Sequence, residues 1–264
     1  MMEQKENTVL KVENLSIGYA RKKNPLILFE KLNFKLHKGS LVGLIGANGI
    51  GKSTLLRTLA AMQKPLNGSI ILSGKELSKY PTLELAQQLS IVLTEPPASK
   101  HLRVDEFIAL GRQPYTNWLG TLSEKDKDEV LNAMRITETE SYKNKKCIEL
   151  SDGQLQRVAI ARAIAQDTPI IFMDEPTTHL DLHHRVTLLK LLQKLTRDAN
   201  KTILFSTHEI DLAIQTCDQL IVLNDSGLTL GTPTELKENG VFQNLFPENG
   251  IQFDPKNDRF ILGD

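Results

Sequence analysis

The chain has 264 residues, 40% hydrophobic and 24% charged, within the range of one large globular domain or two small ones. Its 32 basic and 32 acidic residues cancel, so no global field draws it toward nucleic acid or an anionic membrane. No run approaches the roughly 18 to 20 consecutive apolar residues of a membrane span, and the start MMEQKENTVLKVENL lacks a signal peptide's apolar run; a cytosolic protein is expected.

Near the N-terminus, LNFKL (32–36) and part of VLKVENLSI (9–17) alternate apolar and polar residues, the pattern of half-exposed antiparallel strands. LVGLI (41–45) is continuously apolar and predicts a strand covered on both faces. It runs into GANGIGKST (46–54), which opens a helix, KSTLLRTLAAM. Between Pro81 and Thr168 only SIVL (90–93) reads as a strand, while VDEFIALGR and SEKDKDEVLNAMR show helical periodicity; a helical subdomain over about 81–168 is expected. LSDGQLQR (150–157) begins a further helix. IIFM (170–173), TILFS (202–206) and QLIVL (219–223) complete the buried strands, and the segment from Gly231 onward is expected to pack on the core edge. Cys147 and Cys217 lack CxxC or Cys/His spacing and read as reduced structural thiols.

GANGIGKS satisfies G-x-x-x-x-G-K-[ST] in the strand-to-helix context that gives the pattern its meaning. Gly46, Ala47, Asn48, Gly49 and Gly51 are expected to wrap phosphates with backbone N–H groups, continued by Thr54 in the helix. Lys52 would neutralise β/γ-phosphate charge, and Ser53 would bring its hydroxyl to Mg²⁺. Asp174 and Glu175 follow a buried strand, where carboxylates emerge on the ligand side of an α/β sheet. Asp174 is expected to hold Mg²⁺ through water, and Glu175 to accept the proton of an attacking water. His208, after the next strand, is read as a contact to the γ-phosphate and that water. LSDGQ is a second anion-holding helix start, with Ser151, Gly153 and Gln154 as its phosphate contacts. One nucleotide does not need two such starts. If a second copy offers its ATP to LSDGQ, both are used, and the contact is that of a two-fold dimer.

Five stretches in this order, GANGIGKST, LSDGQLQR, IIFMDEP, THLDL and STHE, resemble the ATP-binding cassette family. The resemblance covers about 9–245, taken as one ATP-binding domain with 246–264 as a C-terminal tail. It implies an α/β fold: a P-loop NTPase core with N-terminal antiparallel strands and an inserted helical subdomain. It also implies an ATPase that closes head-to-tail around two ATP molecules and opens after hydrolysis. Tyr19 then takes the place of an adenine-stacking aromatic, and Asp181 that of an aspartate linking the two sites. The segment from VDEFIALGRQP to KDKDEV is similar to ATPase subunits importing iron-siderophore, haem or cobalamin complexes. Those work under the cell membrane with permease subunits and, indirectly, a binding protein. Trp118 and Tyr115 are read as core packing, with a membrane-partner contact as the alternative. A cassette acting on DNA or ribosomes is the rival reading. It lacks the heptads or second cassette it would need, and no nucleic-acid partner is expected.

Two positions depart from the family pattern and motivate a third reading, a subunit that no longer hydrolyses ATP. Asp152 stands where Gly is usual. A carboxylate about 4 Å from a phosphate oxygen costs about 4 kcal/mol at an effective dielectric of ~20, so Asp152 is expected to turn away and cap or turn backbone. Glu95 stands in place of a Gln that contacts Mg²⁺ and the water, and is read as a working metal ligand.

Overall fold

The structure, a computed structural model, describes residues 7–21, 24–94, 101–178, 180–246 and 250–262. In chain order, the first segment contains β1 (Thr8–Tyr19), β2 (Leu26–His37), β3 (Leu41–Gly46), α1 (Lys52–Leu59), β4 (Asn67–Leu72) and β5 (Lys75–Glu76). Next come α2 (Thr82–Ala86), β6 (Leu89–Val92), α3 (Val104–Ala109), α4 (Glu124–Ile136), α5 (Asp152–Ala165), β7 (Ile170–Met173) and α6 (Leu182–Asp198). The last segment holds β8 (Thr202–Ser206), α7 (Ile210–Thr216), β9 (Gln219–Asn224), β10 (Gly227–Gly231), α8 (Pro233–Glu238), β11 (Ile251–Asp254) and β12 (Arg259–Leu262). The chain divides into two compact units, one of Met1–Tyr80 with Leu192–Asp264, the other of Pro81–Leu191.

In the first unit β3 lies between β8 and β9 and runs parallel to both, with β10 antiparallel to β9. Every residue of β3 and β8 is buried, which is why these strands read as unbroken apolar runs. Gly43 is needed in the middle of β3, because a Cβ there would stand 2.8 Å from the Leu220 side chain and 3.1 Å from Cys217 Sγ. Burial pushes the Cys217 thiol up to about 12 and raises that of Cys147 as well, so both behave as packed, unreactive groups. The N-terminal strands form a separate antiparallel sheet, order β2-β1-β4-β5, in which Leu32, Phe34 and Leu36 of β2 point to the core. The hairpin β4-β5 was not read from the sequence, although β4 carries the apolar run Ile70, Ile71 and Leu72. It turns at Ser73 and Gly74, both with positive φ, and β4 is held by its register with β1.

The described residues of the C-terminal segment are folded. Thr232 caps α8 reciprocally with Glu235, Phe253 and Phe260 of the β11-β12 hairpin cluster with Phe242, and Phe260 N–H donates to Asp211 Oδ1 of α7 at 3.1 Å.

The second unit joins the parallel pair β6-β7 to the helices α3, α4 and α5. Its centre is polar. Arg112 and Asp126 are both buried and meet at 2.9 Å, while Arg112 also donates to Ala165 O of α5 at 2.8 Å. Burial alone would raise the Asp126 carboxyl, but bonds from Ser123 and Arg112 hold it below the usual range. A fully bonded buried pair of this kind fixes how helices meet more than it adds net stability. Gly111 lets the segment approach α5, since a Cβ there would lie 2.3 Å from Arg162 O. The GRQP stretch is therefore a packing joint. Tyr115 is half-packed, its ring under the Arg112 guanidinium and its hydroxyl donating to Gln166 O. Trp118 corrects the expectation of core packing: it is 92% exposed, in the loop before α4.

Candidate nucleotide-binding site

The phosphate loop is shaped by three glycines. β3 ends at Gly46, where a Cβ would lie 2.5 Å from Leu223 O; Gly49 (φ 75°) and Gly51 (φ 119°) then occupy backbone conformations that other residues rarely adopt. Gly51 is the N-cap of α1, whose own ladder begins with Leu55 N–H donating to Gly51 O. The amides of Lys52, Ser53 and Thr54 lie ahead of that ladder, at the positive end of the helix. Lys52 is 5% exposed, and its ammonium donates to Gly46 O (2.9 Å) and Ala47 O (3.1 Å), so the cation is held inside the loop, with Ala47 and Asn48 at its crest. Ser53 is partly exposed one residue on. Tyr19, at the end of β1, is 47% exposed, and its hydroxyl meets Thr54 Oγ1 at 3.1 Å. His208 is exposed just beyond β8, where Thr207 N–H donates to Leu44 O. It thus leaves the sheet at the end from which the loop leaves β3.

In the second unit, Asp174 follows β7 and is buried, its N–H donating to Val92 O (2.8 Å) and its carbonyl accepting from Thr94 Oγ1 (3.0 Å). Glu175 is in the left-handed region at φ 48°, strained for a residue with a side chain, and Thr178 Oγ1 donates to Glu175 Oε2 at 3.2 Å. That threonine opens the THLDL stretch, but the sequence reading gave it no role. Glu95 lies outside the described residues.

The LSDGQ helix start is α5. Ser151 is its N-cap: Ser151 Oγ accepts from Gln154 N–H, and Gln154 Oε1 accepts from Ser151 N–H at 3.1 Å. The cap is therefore not Asp152, which corrects the capping role expected for it; Asp152 is exposed in the first turn. Gly153 is 3.0 Å, measured from a Cβ, from the Leu180 side chain. Asp181 accepts from the backbone N–H of His184 (2.9 Å), and its carboxylate meets the His184 ring Nδ1 at 2.8 Å. The His184 amide, then its ring, hold the Asp181 carboxyl below the usual carboxylate range. Ser151, Gly153, Gln154, Asp181 and His184 share one open cavity of about 430 Å³. The pairing with His184 was not foreseen, although an Asp three residues before its partner at a helix start is a legible cap signal.

Against this geometry, the ABC transporter family profile matches residues 29–178. The chain belongs to the ABC transporter family. Relatives of this cassette include the probable siderophore transport system ATP-binding protein YusV of Bacillus subtilis (strain 168), 37% identical over 92% of this chain and 87% of that protein. The iron(3+)-hydroxamate import ATP-binding protein FhuC of the same organism is 33% identical over 95% of this chain and 92% of its own. Among solved structures, a post-hydrolysis dimer of the cassette MJ0796 bound to ADP and Pi is similar at 27% identity, TM-score 0.75, over 85% of this chain and 98% of that one. CbiO1 of Clostridium perfringens, part of the transporter complex cbiONQ, is 28% identical, TM-score 0.76, over 92% and 96%. As an ABC ATPase the chain binds ATP and hydrolyses it. No helix among the described residues is long and apolar enough to cross a membrane.

The glycine cradle and its enclosed lysine fit a polyphosphate. Among the described residues no group of three or more His, Cys, Asp or Glu is placed to hold a metal. Mg²⁺ is commonly bound by one or two carboxylates together with phosphates and water. Because Asp152 is exposed, its carboxylate has room to stay in water, where charge is screened. Asp152→Gly is therefore expected to leave steady-state ATP turnover within about threefold of the parent; a large gain would mean that the carboxylate repels phosphate.

Proposed function

We propose that the chain is the motor subunit of an importer of iron chelates, an iron-siderophore complex before haem or cobalamin. It would work at the cytoplasmic face of the cell membrane with permease subunits and, through them, a binding protein. The observation that carries the cargo is the full-length similarity to YusV and FhuC, whose names state siderophore and iron-hydroxamate transport. In this reading, two copies close head-to-tail, each holding ATP in its own loop and capping the other's γ-phosphate with Ser151, Gly153 and Gln154.

Mg²⁺, when bound, supplies the Lewis acid that neutralises charge developing on the β/γ-phosphate oxygens. Ser53 and Asp174 offer it the hard oxygen donors it prefers, with Glu95 as a third. Lys52 and the loop amides hold the phosphates, and Tyr19 takes the base. Glu175 accepts the proton of the attacking water, His208 orients that water against the γ-phosphate, and Asp181 links the two sites. The test is transport. Reconstituted in liposomes with a siderophore permease that it binds and that permease's binding protein, the chain should drive uptake of a ferric siderophore in step with ATP turnover. Turnover without uptake of any iron chelate would remove the importer reading and leave the ATPase.

A further inference from the structure

The cavity at the start of α5 has one aromatic wall. Tyr142, in the turn Glu140–Tyr142, lines it beside Ser151 and Arg157. Of the chain's four tyrosines, the other three spend their hydroxyls on protein: Tyr19 on Thr54 (3.1 Å), Tyr80 on Leu72 O (2.8 Å) and Tyr115 on Gln166 O (3.0 Å). The Tyr142 hydroxyl meets no hydrogen-bond partner among the described residues, although the residue is partly buried. The hydroxyl is not among the described buried polar atoms that lack a partner, so it reaches solvent and is open to a ligand.

Its position is fixed from both sides. Tyr142 N–H donates to Thr139 O (3.1 Å), Tyr142 O accepts from Lys145 N–H (2.8 Å), and Val104 N–H at the start of α3 donates to Lys145 O (3.0 Å). A ring presented from so tied a turn loses little entropy when it makes a contact. At about 430 Å³ the cavity is in the range of sites for whole small molecules, roughly 300–1,000 Å³, rather than for a bare anion. Its charged walls are mixed: Arg157, which also meets Glu138, and His184, which meets Asp181, stand with the carboxylates of Asp152 and Asp181.

We propose that Tyr142 is a nucleotide contact made across the dimer: when a second copy presents its ATP to Ser151, Gly153 and Gln154, the Tyr142 hydroxyl donates to an oxygen of that same nucleotide. This rests on the head-to-tail dimer proposed above. No position in LSDGQ supplies this contact, and it ties closure to the nucleotide held by the other copy.

The full chain, Tyr142→Phe and Tyr142→Ala are titrated with the non-hydrolysable imido analogue of ATP and Mg²⁺, and mass is read by light scattering. ADP affinity of the monomer is measured beside it at low protein concentration. Tyr142→Phe should raise the analogue concentration for half-maximal dimer by about two- to tenfold, the worth of one neutral hydrogen bond, and Tyr142→Ala by at least as much. ADP affinity should stay at the parent value, because ADP in the monomer does not meet Tyr142. If both variants dimerise like the parent, or ADP affinity falls in step with dimerisation, the proposal is overturned. A parent that stays monomeric at saturating analogue removes the dimer reading itself, and this contact with it.

Discussion

Glu175→Gln should bind ATP as tightly as the parent while turnover falls by about a hundredfold or more, the scale on which a positioned general base contributes. The substitution is close to isosteric. Thr178 Oγ1, which donates to Glu175 Oε2 at 3.2 Å, finds an amide oxygen in the same place, so the side chain keeps its orientation. The left-handed backbone at φ 48° is no worse for Gln than for Glu. What is lost is the ability to take a proton. Every phosphate contact in the loop is untouched, so a dimer that forms on ATP binding should accumulate with ATP and Mg²⁺ and be visible on a sizing column. Turnover near the parent rate would show that another group accepts the proton.

Lys52→Ala should fail earlier, at binding. The Lys52 ammonium is 5% exposed and donates to Gly46 O and Ala47 O, so its removal takes away a charge facing the phosphates and two bonds that shape the loop. A hydrogen bond to a charged group contributes about 1.5–3 kcal/mol, and ATP affinity measured by titration calorimetry should fall by about 10- to 100-fold. Stability should change little by comparison, because α1 keeps its buried face of Leu55, Leu56 and Leu59. Unchanged affinity would mean that the lysine serves the fold of the loop and not the ligand.

The two variants separate chemistry from binding, and both were chosen from residues legible in the sequence. That legibility has a physical source. The loop from Gly46 to Ser53 is specified by its own glycines, because the positive φ values at Gly49 and Gly51 are a property of those residues and not of what surrounds them. The Ser151 and Gln154 cap is likewise a bond between residues three apart. The cap itself fell to Ser151 and not to Asp152, because two adjacent residues compete for one cap and the choice depends on where the helix begins.

The strand cores were readable for the same kind of reason. β3, β7 and β8 are buried throughout, and an unbroken apolar run records that burial directly. β4 and β5 were not read as strands: β4 pairs with β1, more than fifty residues away in the chain, and the two-residue β5 pairs with β4. Trp118 looked like a core residue by its type alone, and it is 92% exposed because its loop runs on the surface.

By itself, then, the sequence determined the phosphate loop, the second helix start, the acidic strand end and the family that unites them, all features written in contiguous residues. Tertiary structure alone decided that Tyr19 sits on Thr54, that Arg112 is held by Asp126 and Ala165, that Thr178 steadies Glu175, and that Tyr142 lines the cavity of Ser151 with its hydroxyl unpartnered among the described residues. Each of these is a side-chain contact set by how chain segments pack or turn against one another, and local propensity carries no information about which groups packing will bring within hydrogen-bonding reach.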